Sequence, residues 1–254
     1  SISCTIIFCM QFDNIIERKL NFMQVNKAMI LAAGYGKRML PLTKDTPKPL
    51  IKIGMKSLLE RSIEILIKLG VNDIRINIFY LADKIESFIK EKNYSIPIKL
   101  IREQELLDTG GGIYNATKDF NKDPFYVLNP DTIWNRSYYE ELKILENLYF
   151  SKNNPVLLLV NKKNSHDKSF KGDFNLGSNQ LITRDANNQF IFTGAQIISR
   201  NIFHSTSNKI FSMNEVWNKL IADQKLFGIE SNQTFLHLNN LNVYEDLKKN
   251  KLID

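Results

Sequence analysis

Two glycines and two cations cluster near the start of the organised sequence. Gly34 and Gly36 fall in Leu31-Ala-Ala-Gly-Tyr-Gly-Lys-Arg-Met-Leu-Pro-Leu-Thr43, and Lys48 follows between Pro47 and Pro49. Glycines directly after a strand let the backbone approach a phosphate with its N–H groups turned toward it. Arg38 adds a guanidinium, and the flanking prolines restrict the backbone that carries the Lys48 ammonium. Such a set can gather, align and neutralise phosphate charge. It is not a Walker A loop, because Leu31 stands where the first Gly would be and Arg38 where Ser or Thr would be. Nor is it a full dinucleotide fingerprint, since Met39 replaces the third Gly.

Two further segments carry chemistry-bearing residues. Asp131 ends an apolar run, and a carboxylate there can close a turn or bind a divalent cation. Glu103-Gln-Glu-Leu-Leu-Asp-Thr-Gly-Gly-Gly-Ile113 places three glycines at the opening of a helix, a cost to stability that close packing against a flat base would explain. No Ser-His-Asp or Cys-His set is apparent, and His166, His204 and His237 are scattered, as ordinary structural residues would be.

The elements that must hold these residues alternate. Short apolar runs predict strands over 28–32, 74–79, 96–101, 125–128, 155–160 and 190–199, while periodic stretches predict helices over 57–69, 82–92, 214–224 and from 246 onward. Ser137 and Glu140 have capping-box spacing and predict a helix to about Tyr149. The expected fold is α/β and Rossmann-like, with a mixed, mostly parallel central sheet and helices on both faces. Residues 25–254 read as a single domain, 25–131 its nucleotide-binding half and 132–254 its sugar-phosphate-binding half. In such sheets ligands bind outside the carboxyl ends of the strands, where the glycine loop and Asp131 fall.

The pattern G-x-G-x-R-x-x-P-L-T followed by P-K-P-L resembles the signature of the sugar nucleotidyltransferases. The resemblance runs from about residue 27 to 250. It implies that Arg38 sits by the leaving pyrophosphate and Lys48 at the transferred phosphoryl group, as the catalytic cations. The nucleotide would be held by Leu31, Ala33, Gly34, Gly36, Lys37, Asn77, Glu103, Thr109 and Gly110, with Gly110 at the pyrimidine and Glu103 on the base-recognition side. Leu107-Asp-Thr-Gly-Gly-Gly-Ile113, Gly172-Asp-Phe174 and Phe192-Thr-Gly194 resemble the branch that makes UDP-N-acetylmuramic acid, which implies a sugar-phosphate set of Gly172, Asp173, Thr193 and Gly194. The family binds Mg2+ through an Asp after this strand and a second Asp in W-x-D-V-G-T. Asp131 takes the first place, with Pro130 replacing the usual Gly. Aligning His237-Leu-Asn-Asn-Leu-Asn-Val243 with the second motif puts Asn240 in the other.

Composition agrees with an anionic small-molecule substrate. Of 254 residues, 43% are hydrophobic and 24% charged, which excludes a disordered or collagenous chain. Lys plus Arg number 34 against 27 Asp plus Glu, a net +7, but the lysines are dispersed beside acidic residues and no basic tail or aromatic-basic face marks a nucleic-acid binder. Residues 1–24 read as an extension outside the fold, with Met23 the expected natural start. Its apolar opening lacks a basic n-region and is too short to span a membrane. Cys4 and Cys9 have no ligand-spaced neighbours and form no disulfide framework, so a cytoplasmic protein is expected. The expected reaction joins UTP and a sugar 1-phosphate, N-acetylmuramic acid 1-phosphate, in cell-wall sugar recycling. The alternatives are another hexose or heptose 1-phosphate with GTP, dTTP or CTP, or a catalytically weakened regulatory module that binds nucleotide sugars.

Overall fold

The computed structural model describes residues 23–203 and 208–249. Cys4, Cys9, His204 and nearly all of the predicted extension lie outside the described residues. Gln24, the last residue of that extension, is joined to the fold: its Nε2 donates to the Leu69 carbonyl at 2.8 Å and covers Gly70.

The central strand β1 (Lys27–Leu31) is flanked by β4 (Asp73–Ile78) and β6 (Phe125–Leu128), both parallel to it. β2 (Lys52–Ile53) and β3 (Lys56–Ser57) form a small separate hairpin. Beyond β4 lies β5 (Ile98–Arg102). On the other side β10 (Phe190–Ile198) runs antiparallel to both β6 and β7 (Val156–Asn161), and β11 (Phe227–Ser231) closes that edge parallel to β7. The seven-stranded order is β11-β7-β10-β6-β1-β4-β5, and β8 (Asn175–Leu176) with β9 (Ile182–Thr183) forms a second hairpin. The expected mixed, mostly parallel sheet is therefore present.

Helices cover both faces, which is why the inner strands read as continuous apolar runs. Ala28 and Ile30 of β1 face a core shared with α1 (Leu58–Lys68), α2 (Ala82–Lys92) and α4 (Tyr138–Lys152). Met29 and Val127 face the opposite core, built with α3 (Asp108–Ala116) and α5 (Met213–Ala222). Capping boxes start α1 at Ser57 with Glu60 and α5 at Ser212 with Glu215. The box predicted at Ser137 does not form. Ser137 is itself in a helical conformation and makes no side-chain cap; the turn is set by Asn135, whose Oδ1 accepts from the Ser137 N–H at 2.9 Å. The last helix, α6 (Leu241–Lys249), starts five residues before the predicted one because Asn240 caps it: its Oδ1 accepts from the Val243 N–H at 3.0 Å. Among the described residues no helix is long and apolar enough to cross a membrane.

Candidate active site

Residues 32–50 leave the end of β1 and fold back over it. Gly36 occupies the left-handed region at φ 65°, and a Cβ there would stand 2.9 Å from the Thr43 Cγ2 and 3.1 Å from the Lys48 Cβ. Only glycine keeps this turn so close to the lysine. Space around the Gly34 Cα is open, as required of backbone that is to meet a ligand. Pro47 precedes a short turn, Lys48–Leu50, that holds Lys48 between its prolines.

The Lys48 ammonium lies 2.6 Å from Asp131 Oδ2, with the two side chains only 15% and 22% exposed. Burial alone would raise the Asp131 pKa, but the Lys48 ammonium and then His237 outweigh it and hold the carboxyl well below the usual carboxylate range. His237 Nε2 stands 3.2 Å from Asp131 Oδ1, outside hydrogen-bonding alignment, so that this oxygen is buried with no hydrogen-bond partner among the described residues. His237 is brought there by a bridge between Thr132 and His237 and by the Leu238 N–H, which donates to the Asp131 carbonyl at 2.7 Å. Asn240, expected to be the second metal ligand, instead spends its Oδ1 on the first turn of α6. The alignment of this segment is corrected accordingly: His237 is the side chain beside Asp131, and Asp131 and Asn239 both line a cavity.

Asn77, at the end of β4, is a brace. Its Oδ1 accepts from the Ala32 N–H at 2.9 Å, and its Nδ2 donates to Glu103 Oε1 at 2.7 Å. Glu103 Oε2 accepts from the Leu107 N–H at 3.2 Å. Burial pushes the Glu103 pKa up, more than these two hydrogen bonds lower it.

A cavity of about 560 Å³ opens over these groups, within the usual range for ligand sites. Its walls include Leu31, Ala33, Gly34, Gly36, Lys37, Arg38, Lys48, Asn77, Glu103, Thr109 and Asp131. Gly110 does not line it. A Cβ at Gly110 would lie 2.4 Å from the Phe211 ring, one at Gly111 2.4 Å from the Lys209 carbonyl oxygen, and one at Gly112 2.7 Å from Asn77 Nδ2. The glycines of α3 are thus explained by contact with protein rather than with a base, a correction to the expectation for this segment.

A second cavity, of about 370 Å³, shares Leu31, Asp108, Thr109 and Asn129 with the first. Asp173 lines it. The other three predicted sugar-side residues shape its frame: Gly172 turns at φ 87° against the Asn188 carbonyl, Thr193 Oγ1 donates to the Leu158 carbonyl at 2.8 Å, and Gly194 at φ 92° approaches Asn129. Phe192, the first residue of the Phe192-Thr-Gly194 motif, also lines it, and sequence reasoning missed Arg184, Gln196 and Trp217. Phe192 and Trp217 meet edge to face at 4.9 Å, and Trp217 Nε1 donates to Gln196 Oε1 at 3.2 Å. No fixed spacing marks these residues, because Gln196 comes from β10, Trp217 from α5 and Arg184 from the loop after β9.

The profile of the nucleotidyl transferase family matches residues 27–170, more than half of the chain. The chain belongs to the nucleotidyl transferase family. It resembles the N-acetylmuramate alpha-1-phosphate uridylyltransferase of Caulobacter vibrioides, at 28% identity over 83% of this chain and 90% of that protein. It also resembles the catalytic beta subunit of mannose-1-phosphate guanylyltransferase from Xenopus tropicalis, at 39% identity over 46% of this chain and 34% of that protein. Among solved structures, HddC from Yersinia pseudotuberculosis complexed with GMP-PN superposes with a TM-score of 0.68 at 23% identity, covering 89% of this chain and 100% of that one. Apo UDP-glucose pyrophosphorylase gives 0.72 at 15% identity, covering 90% and 98%. The nucleotidyl transferase chain is thus an enzyme of the sugar-1-phosphate nucleotidyltransferase class, and its sheet is that of the nucleotide-diphospho-sugar transferases.

Proposed function

We propose that the enzyme joins UTP and N-acetylmuramic acid 1-phosphate to give the UDP-sugar and pyrophosphate. The observation that carries this reading is the convergence of Arg38, Lys48 and Asp131 on one cavity that continues into a second, aromatic-walled one. A phosphate oxygen of the sugar 1-phosphate attacks the α-phosphorus, a bond forms there, and the bond to the β-phosphate oxygen breaks to release pyrophosphate. The transfer needs alignment and charge neutralisation rather than a side-chain nucleophile. Arg38 neutralises the leaving pyrophosphate, Lys48 holds the transferred phosphoryl group, and backbone N–H groups around Gly34 and Gly36 take the triphosphate.

The residues present fit a Mg2+ ion. It takes one or two carboxylates alongside substrate phosphate oxygens, and Asp131 offers a buried oxygen with no hydrogen-bond partner among the described residues. Bound there, Mg2+ would offset charge on the phosphates. The proposed setting is the cytoplasm, in recycling of cell-wall sugar.

A guanylyl reading has one observation in its favour, the higher identity to the mannose-1-phosphate enzyme, but that match spans less than half of this chain. The uridylyltransferase match extends through the sugar-side half. The test is pyrophosphate release from four triphosphates crossed with a panel of sugar 1-phosphates and Mg2+. UTP with N-acetylmuramic acid 1-phosphate should give the highest kcat/KM; a higher value for GTP with mannose 1-phosphate would overturn the uridylyl reading. UDP-sugar binding with no turnover on any pair would instead support a regulatory module.

A further inference from the structure

The position beside Asp131 is filled by an imidazole, whose Nε2 faces the carboxylate. His237 Nε2 and Asp131 Oδ1 are 3.2 Å apart without a hydrogen bond between them. Two ligands bonded at about 2.1 Å to one ion and at right angles stand about 3 Å from each other. Lys48 engages only the other carboxylate oxygen, Oδ2, and leaves Oδ1 available. The imidazole is held in orientation, stacked on Phe235 at 5.6 Å and 25° and met edge-on by Phe170 at 5.6 Å. Asn239 lines the cavity beside Asp131 and is fixed by its Nδ2, which donates to Asp167 Oδ2 at 2.7 Å.

We infer that His237 is a direct ligand of the divalent cation, so that this site prefers a cation with affinity for nitrogen, such as Mn2+ or Co2+, over Mg2+. The inference rests on the reading that a divalent ion joins Asp131 during nucleotidyl transfer, and deepens it. An all-oxygen site suits Mg2+, whereas imidazole favours the later first-row metals and removes the negative charge a second carboxylate would contribute.

The test uses the full chain with Mn2+ and inorganic triphosphate, which contains no nitrogen. Loss of the free Mn2+ paramagnetic resonance signal measures binding, and three-pulse electron spin echo modulation reads whether nitrogen is bonded to the ion. The expected result is strong 14N modulation in the wild type. In His237→Asp, Mn2+ should still bind, the modulation should vanish, and the preference for Mn2+ over Mg2+ in competition should fall about tenfold. Bound Mn2+ without nitrogen modulation in the wild type overturns the inference, as does modulation that survives in His237→Asp or the absence of Mn2+ uptake at millimolar concentration. The wild-type spectrum decides by itself if the variant folds poorly. Failure of the uridylyl reading would appear in the triphosphate screen and leave the nitrogen signal unchanged.

Discussion

Lys48 Nζ and Asp131 Oδ2 meet at 2.6 Å across 83 positions of sequence. The cation assigned to the phosphoryl group is thereby held by the carboxylate assigned to the metal. Each holds the other in place, and the Lys48 ammonium keeps the Asp131 carboxyl well below its usual range.

Replacing Lys48 with Met leaves Asp131 without its main counter-charge. The folded-state pKa of Asp131 is depressed, so its contribution to stability is present above the ordinary carboxylate value of about 3.9 and is lost as pH falls below it toward the folded value. Lys48→Met lessens that depression. Thermal melts of the two proteins should differ most near pH 7 and converge as the pH falls below about 4 toward the depressed value; a gap that stays constant with pH would mean that the pair does not link folding to Asp131.

Arg38 is exposed and lines the larger cavity. Arg38→Ala should lower kcat about 10²- to 10³-fold, the range for removing one preorganised donor. The melting temperature should stay near that of the wild type. Stopped-flow pyrophosphate release together with a thermal melt separates loss of chemistry from loss of fold.

Gly36→Ala puts a side chain into the left-handed region and against Thr43 and Lys48. The backbone cost is about 1–2 kcal/mol, readable in urea unfolding. Because the clash falls on Lys48, turnover should drop as well, which a strained but distant turn would not produce.

Asn240 is a helix cap. Asn240→Ala should cost about 1 kcal/mol of stability and leave the divalent-ion concentration for half-maximal rate unchanged. A marked rise in that concentration would return Asn240 to the metal site.

Much of the fold was legible because strands buried on both faces are unbroken apolar runs and the helices between them are periodic. β11 was missed: Phe-Gly-Ile-Glu-Ser is a short edge strand, covered on one side by β7, and its Gly and Glu break any apolar pattern. The loop residues that line the larger cavity were legible because glycines, prolines and cations converge in one local segment. In the second cavity Asp173 and Phe192 stand in local motifs, whereas Arg184, Gln196 and Trp217 belong to none and come from separate elements. The register around residue 237 escaped sequence reasoning for a different reason. Asparagines at 239, 240 and 242 offer no pattern to align, and only pairing with Thr132 shows which side chain turns toward Asp131. Glycines pressed against protein and glycines cleared for a base look identical in sequence, as α3 demonstrates.

β10 lies between β6 and β7, and its register shifts between Phe192 and Gln196. At that irregularity the Gly194 carbonyl accepts from the Asn129 N–H at 2.8 Å, and the Thr132 hydroxyl donates to the Thr193 carbonyl. The stretch of β10 that lines the second cavity and the strand end carrying Asp131 are therefore neighbouring rows of one hydrogen-bonded lattice. With the two substrates in the two cavities, as proposed, their spacing would be ruled by the pitch of a sheet.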